Sequence, residues 1–288
     1  MDPVITVGLD GSPESLAAAR WGAGEADRRG YTLRLLHAWT LLSPDATGVP
    51  SKKDQNYWAN RIVHDARTEL HKHHPDLPII EDLVAEEAAP ALLSAAAQSQ
   101  MAVLGSRGLG PAQRFFLGDT SMDVVSRAER PVVLVRKGMD DDASAAHEGG
   151  VVVALSLGGS CDDVLDFAFA AAAARGVPLR AVHGYSLPVQ AYAPWGVDPD
   201  AAEAIRQGAA EELDRTLRPW REKFPGVRVI DEIRLESPAH AAVRRAEDAD
   251  LLVVGRRKHR GALAPRLGPV AHSAMHHAAC PLAVVPHD

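Results

Sequence analysis

The chain repeats itself, and this limits its fold more than any other feature. ITVGLDGSPES at residues 5–15 lies without a gap on VVVALSLGGSC at 151–161, and the same offset of 146 carries RGYTLRLLHAW at 29–39 onto RGVPLRAVHGY at 175–185. The correspondence resumes with MAVLGSRGLG at 101–110 against LLVVGRRKHR at 251–260, and RPVVLVRK at 130–137 against CPLAVVPH at 280–287. A pattern satisfied twice means one internally symmetric domain or two tandem domains. Each half carries a whole set of strand and helix signals, and 288 residues divide into two domains of ordinary size. The reading is two domains, residues 1–137 and 151–288, joined by an acidic, small-residue linker, GMDDDASAAHEGG, at 138–150.

Inside each half, short β-branched apolar runs alternate with alanine-rich stretches. In the first half the pattern predicts strands at Val4–Leu9, Leu33–Ala38, Ile79–Val84, Met101–Leu104 and Val132–Val135. Helices are predicted at Pro13–Arg29, Asn56–His73, Pro90–Gln98 and Ser121–Ala128. Strands that read as near-continuous hydrophobic runs, separated by helices, point to an α/β fold with a parallel sheet covered on both faces. Aromatic residues make up only 5% of a chain that is 46% hydrophobic, so alanine and aliphatic side chains must fill the interior.

A formal charge of −7 argues against sequence-independent binding to nucleic acid or to an anionic membrane surface. Two cysteines are too few for a disulfide framework, and neither a secretory leader nor a run of about 20 apolar residues is visible. The expectation is a cytoplasmic protein. The histidine groups HKHHPD at 71–76 and HH at 276–277 lack the supporting Cys or carboxylate spacing of a metal site, and read as helix-end side chains.

Ligands of doubly wound sheets sit beyond the carboxyl ends of the strands, where the strand order reverses. Asp10 ends the first strand and is followed by Gly11, Ser12 as a helix N-cap and Pro13 at the first helical position. Two roles for Asp10 stand open: a turn residue bonding its own backbone, or an acceptor for a ribose hydroxyl or ligand amine. After the fourth strand come Gly105, Gly108 and Gly118, then Asp119, Thr120 and Ser121 at a helix start. Those glycines suit close backbone approach to a ligand, and the first amides of a helix suit an anion, but a loop followed by an ordinary cap explains them equally well.

Taken together, VGLDGS, LLHAW, the Gly-x-x-Gly-(nine residues)-Gly segment with its hydroxyl residues, and RPVVLVR resemble the universal stress protein family, in two copies over nearly the whole chain. The resemblance implies a five-stranded parallel fold of strand order 3-2-1-4-5. It also implies ATP or another adenine nucleotide, with Mg²⁺ between phosphate and protein, held at the strand ends. Carried over by motif, Asp10 accepts from the ribose, and Gly8 and the backbone of Ala38 meet adenine. Gly105, Gly108 and Gly118, with Thr120 and Ser121, wrap ribose and phosphates, and Arg107 is either a phosphate contact or a solvated charge. Asp119 departs from the hydroxyl residue usual there; it would repel a triphosphate unless Mg²⁺ intervenes, and as a helix cap it would compete for the same amides. The resemblance also implies pairing of the apolar last strands, as an intramolecular pseudo-dimer and a homodimer beyond it.

The second copy has drifted: Asp10 becomes Ser156, Gly108 becomes Lys258, and Asp119-Thr120-Ser121 becomes Pro269-Val270-Ala271, while Gly255 and Gly268 remain. The basic run Arg256 to Arg260 reads as a solvated loop, and this half as mainly structural, with a site for a different anion as the alternative. No nucleophile and base, and no Lys-containing phosphate loop, stand out. The expectation is therefore a nucleotide-binding stress-response protein and not an enzyme. A nucleotide-free scaffold is the alternative and a weak ATP hydrolase the third reading. The Pro-rich stretch SLPVQAYAPWGVDPD at 186–200 reads as a long loop.

Overall fold

The alternation of apolar runs and alanine-rich stretches resolves into two βα units, Met1–Ala145 and Ala146–Asp288. The structure is a computed structural model that describes residues 3–40, 52–106, 119–139, 150–187, 192–193, 196–258 and 267–288. In the first unit β1 (Val4–Gly8) leads to α1 (Pro13–Arg29), β2 (Thr32–Ala38), α2 (Lys52–His73), β3 (Ile79–Val84), α3 (Ala88–Ala97), β4 (Met101–Ser106), α4 (Asp119–Arg127) and β5 (Val132–Arg136). The strands pair in parallel, β3 on β2, β2 on β1, β1 on β4 and β4 on β5, which is the expected order 3-2-1-4-5. The chain steps outward from β1 to β3 and then returns to the other edge of β1, so a crevice opens beyond β1 and β4.

The boundaries differ in detail from the sequence reading. β1 stops one residue early, although Leu9 N still donates to Leu36 O at 2.8 Å. Helix α2 begins at Lys52 instead of Asn56, and α3 at Ala88, leaving Pro90 in the first turn, where its missing N–H costs no bond. Helix α4 begins at Asp119 and not Ser121, which puts Asp119 in its first turn.

Helix α1 forms where the sequence signals it. Ser12 Oγ accepts from Ser15 N at 3.1 Å, Pro13 follows the cap, and Gly30 closes the helix in the left-handed region at φ 64°. Its buried face is mostly alanine, Ala17, Ala18, Ala19, Ala23 and Ala26, with Trp21 as its large apolar side chain and Glu25 buried beside its ion pairs to Arg28 and Arg29. Small residues let the helix backbone approach the sheet closely, and α1 packs over β1, β4 and β5, while α3 and α4 pack together, α3 against β1, β2 and β4 and α4 against β4. The closest approach is at Gly105. A Cβ there would stand 2.6 Å from the carbonyl carbon of Glu14 and 2.7 Å from Ser15 N, both backbone atoms that cannot swing aside.

The second unit runs β6 (Val151–Ala154), α5 (Asp162–Arg175), β7 (Leu179–Tyr185), β8 (Tyr192–Ala193), β9 (Gly196–Val197), α6 (Pro199–Lys223), β10 (Val229–Leu235), α7 (Pro238–Arg245), β11 (Leu251–Arg257), α8 (Pro269–His277) and β12 (Leu282–His287). Its parallel order, β10-β7-β6-β11-β12, repeats that of the first unit. Within the stretch read as a long loop, β8 and β9 pair as a short antiparallel ribbon, and Asp198 then caps α6 through the amides of Asp200 and Ala201. Phe169 on α5 stacks on Trp220 and Phe224, with ring centroids 6.1 and 5.5 Å apart, tying α5 to the end of α6.

The packing at Gly105 predicts that Gly105→Ala lowers stability by about 1–3 kcal/mol, the usual cost of forcing an extra carbon into a filled core. Urea unfolding of the ligand-free protein measures it; an unchanged midpoint would mean that α1 does not rest on this strand.

Candidate functional site

The crevice of the first unit is assembled from chain ends whose geometry is fixed locally. After β1 the chain turns through Gly11 at φ 79°, a left-handed conformation that a side chain would strain. In that turn Asp10 Oδ1 accepts from Ser12 N at 2.9 Å and from the Ser12 hydroxyl. Asp10 is exposed, so its carboxylate both organises the turn and faces solvent at the strand end. His37 Nδ1 lies 2.8 Å from Leu9 O; because a carbonyl only accepts, this nitrogen carries the proton, and the bond clamps the ends of β1 and β2 together. The second copy repeats it, with His183 Nδ1 3.0 Å from Leu155 O.

Gly8, Asp10, Ala38, Gly105, Thr120 and Ser121 converge on one cleft of about 240 Å³. Leu36, Leu92 and Leu104 supply its apolar wall. Of the other residues singled out from sequence, Arg107, Gly108 and Gly118 lie outside the described residues. Asp119 is exposed in the first turn of α4 and is not part of the described lining, to which the helix contributes Thr120 and Ser121. Ser121 Oγ reaches Gly105 O at 3.5 Å, a long contact that sets the start of α4 beside the end of β4.

Gly105 lines the cleft and has a packing reason besides. It lies inside β4, paired with Val135, and is absent from the described glycines at positive φ, so it does not shape a turn. Its small size serves the backbone of α1. Sequence reasoning also missed Ser12, Glu14 and Ser15 as lining residues. Glu14 reads as a first-turn acid that favours the helix dipole, and only the tertiary approach of α1 to β4 turns it toward the cleft.

The second unit holds an equivalent cleft of about 310 Å³. Ser156, Gly255, Gly268, Pro269, Val270 and Ala271 line it at the positions expected from the repeat, joined by Cys161, His183, Arg257 and His287. Helix α8 has Gly268 as its N-cap and Pro269 in the first position, so one amide donor is gone. The basic run is not a solvated loop throughout. Arg256 and Arg257 belong to β11, and Arg256 is only 5% exposed, with burial pulling its guanidinium below its ordinary pKa. Lys258 is drawn to Asp163 at 3.4 Å and Asp288 at 3.8 Å. His259 and Arg260 lie outside the described residues.

Among the histidine groups, His71 and His73 sit in the last turn of α2, and His74 Nδ1 lies 3.1 Å from Asp27 Oδ2. No helix among the described residues is long and apolar enough to cross a membrane.

Two doubly wound parallel units, each with a cleft where its strand order reverses, define a tandem α/β protein. The model of the universal stress protein family matches residues 3–136 and 150–286, and the chain belongs to that family. It is 32% identical over 294 residues to a universal stress protein of Mycolicibacterium smegmatis, covering 98% of this chain and 96% of the relative. A universal stress protein of Mycobacterium tuberculosis is 31% identical over 290 residues, covering 97% and 96%. In fold, the chain is similar to a crystal structure of a universal stress protein from Archaeoglobus fulgidus, with a TM-score of 0.70 at 16% identity over 99% of this chain and 98% of that one.

One group in the second cleft has a resolved titration shift. Burial, and then the neighbouring Asp162 carboxylate, push the Cys161 thiol up to about 11. Stability linked to this thiol is full below its ordinary value of 9.0 and is lost as pH rises toward the folded value. At pH 8 the thiolate fraction should be about a hundredfold below that of a free cysteine, so iodoacetamide should alkylate Cys161 slowly, with the rate still rising above pH 10. Labelling followed by peptide mass spectrometry checks this, and a rate levelling off near pH 9 would contradict it.

Proposed function

We propose that the first unit binds an adenine nucleotide in its cleft, and that the protein serves the stress response by binding and conformational signalling, not turnover. The observation that carries this reading is the meeting of Gly8, Asp10, Ala38, Gly105, Thr120 and Ser121 in one cleft at the strand-order reversal. In this reading Asp10 accepts from ribose hydroxyls, the strand end at Ala38 meets the base, and the hydroxyls and first amides of α4 meet phosphate. Asp10 and Glu14 both line this cleft, so a triphosphate needs Mg²⁺ to offset their repulsion. Turnover is left out because the described lining of the cleft holds no lysine, arginine or histidine to stabilise a leaving phosphate. A cytoplasmic location and a homodimer beyond the tandem pair belong to the same proposal.

A nucleotide-free scaffold is the second reading. It is favoured by the bonds Asp10 already makes to the Ser12 amide and hydroxyl, since a carboxylate satisfied within its own turn needs no ligand.

Calorimetric titration of the nucleotide-stripped chain with ATP and Mg²⁺ separates the two. One site per chain is expected, abolished by Gly118→Trp and weakened about tenfold or more by Asp10→Ala, in keeping with roughly 1.5–3 kcal/mol for a hydrogen bond to a charged group. A thermal melt of Asp10→Ala without nucleotide controls for its part in the turn. Absence of heat and of any thermal shift with ATP, ADP, AMP and cyclic AMP would give the scaffold reading the field. In the same assay Asp119→Ser should tighten Mg²⁺-free ATP several-fold and leave AMP unchanged, because only the longer phosphate chain passes the start of α4; equal effects on both would remove Asp119 from the phosphate argument.

A further inference from the structure

We propose that the cleft of the second unit binds a small oxyanion carried on a compact apolar body, a carboxylate or phosphate monoester, and not an adenine nucleotide. The two clefts occupy equivalent places in the fold, but their described linings differ in charge: acidic residues in the first, an arginine and no acid in the second. The first is lined by two acidic residues, Asp10 and Glu14. The repeat puts Ser156 and Ser160 at those two positions, and both serines line the second cleft, whose described lining contains no carboxylate. Two negative charges that would repel an anion have been replaced by hydroxyl donors.

A cation remains. Arg257 lines the second cleft, with Nη2 3.8 Å from where a Cβ on Gly159 would stand, so the guanidinium lies over the turn between β6 and α5. Among the described residues no carboxylate forms an ion pair with it, whereas the neighbouring Lys258 is engaged with Asp163 and Asp288. A guanidinium presents a planar fork of donors that matches the paired oxygens of a carboxylate or phosphate. The imidazole of His287 adds a second polar group, lying against Gly255 where a side chain on that glycine would stand 2.7 Å from Nε2.

The same replacements that admit an anion remove the nucleotide contacts. Ser156 offers no charge to a ribose, Pro269 withholds an amide, and Val270 and Ala271 present methyl groups where the first unit has Thr120 and Ser121. With Leu155, Val164 and Val182, these methyl groups make an apolar wall in a cleft of about 310 Å³. Such a wall favours burying a compact hydrocarbon body over a hydrated polyphosphate.

Phenyl phosphate and benzoate, titrated calorimetrically into the full chain, are the probes; inorganic phosphate and phenol are the controls. At least one probe should bind at one site per chain, at least tenfold tighter than either control, and the stronger of the two identifies the oxyanion. Arg257→Gln, at an exposed position, should weaken that probe about tenfold or more, and Ser156→Asp, which restores the first unit's charge, should do the same. Mg²⁺–ATP at saturation should leave probe binding unchanged. The proposal is overturned if neither probe binds, if both substitutions leave affinity intact, if inorganic phosphate binds as well as phenyl phosphate, or if ATP displaces the probe. The proposal is independent of the nucleotide reading: Asp10→Ala acts only on the first unit, so nucleotide binding can fail while probe binding persists.

Discussion

Parallel pairing of β1 with β2 on one edge and β4 on the other is the constraint from which the rest of the first unit follows. A strand hydrogen-bonded on both edges, with connections leaving in opposite directions, cannot have its carboxyl end roofed by either crossover, and a crevice results. The close seating of α1 depends on the same place. The end of β4 must carry a residue without a side chain at Gly105 for the start of α1 to rest there, and that start brings Ser12, Glu14 and Ser15 to the cleft. The bond from His37 to Leu9 O holds β1 and β2 in the same arrangement, and His183 repeats it.

Because frame and lining are specified by different residues, the two copies have kept one and changed the other. The glycine in the fourth strand (Gly105, Gly255), the histidine clamp and the strand order recur, while Asp10, Glu14, Thr120 and Ser121 give way to Ser156, Ser160, Val270 and Ala271. Packing tolerates these exchanges because each lies at the mouth of a crevice and not within the sheet, where a change of one methylene is felt. Duplication of a fold thus leaves the chemistry of each site free to diverge, and the described linings differ in charge.

Much of the fold was legible in the sequence, since β-branched runs and alanine-rich stretches have different periods and each unit repeats the same alternation. Errors fell at element ends. Pro90 reads as a helix start yet sits inside the first turn of α3, because a proline is tolerated throughout that turn. Asp119 reads as preceding α4 yet belongs to its first turn, because helix propensity does not mark where the chain leaves a strand. The short ribbon of β8 and β9 carries too few residues for a periodic signal. Among site residues, Asp10 and Ser121 were visible through their position beside turns and caps. Glu14 and Arg257 were not singled out in that role, since nothing local to a first-turn acid or a strand-end arginine says which cavity it borders.

The sequence by itself determined that the chain is two copies of one α/β unit, where the strands and helices lie, and that the second copy has lost the acid and hydroxyls of the first. These are matters of period, turn chemistry and residue identity, all local along the chain. Tertiary structure decided that Gly105 serves helix packing, that Arg256 is buried while Arg257 faces a cleft, and that Asp10 and Glu14 share one lining. Each of these turns on which atoms of distant segments come within a few ångströms of one another, and that distance is set by the packing of helices on the sheet.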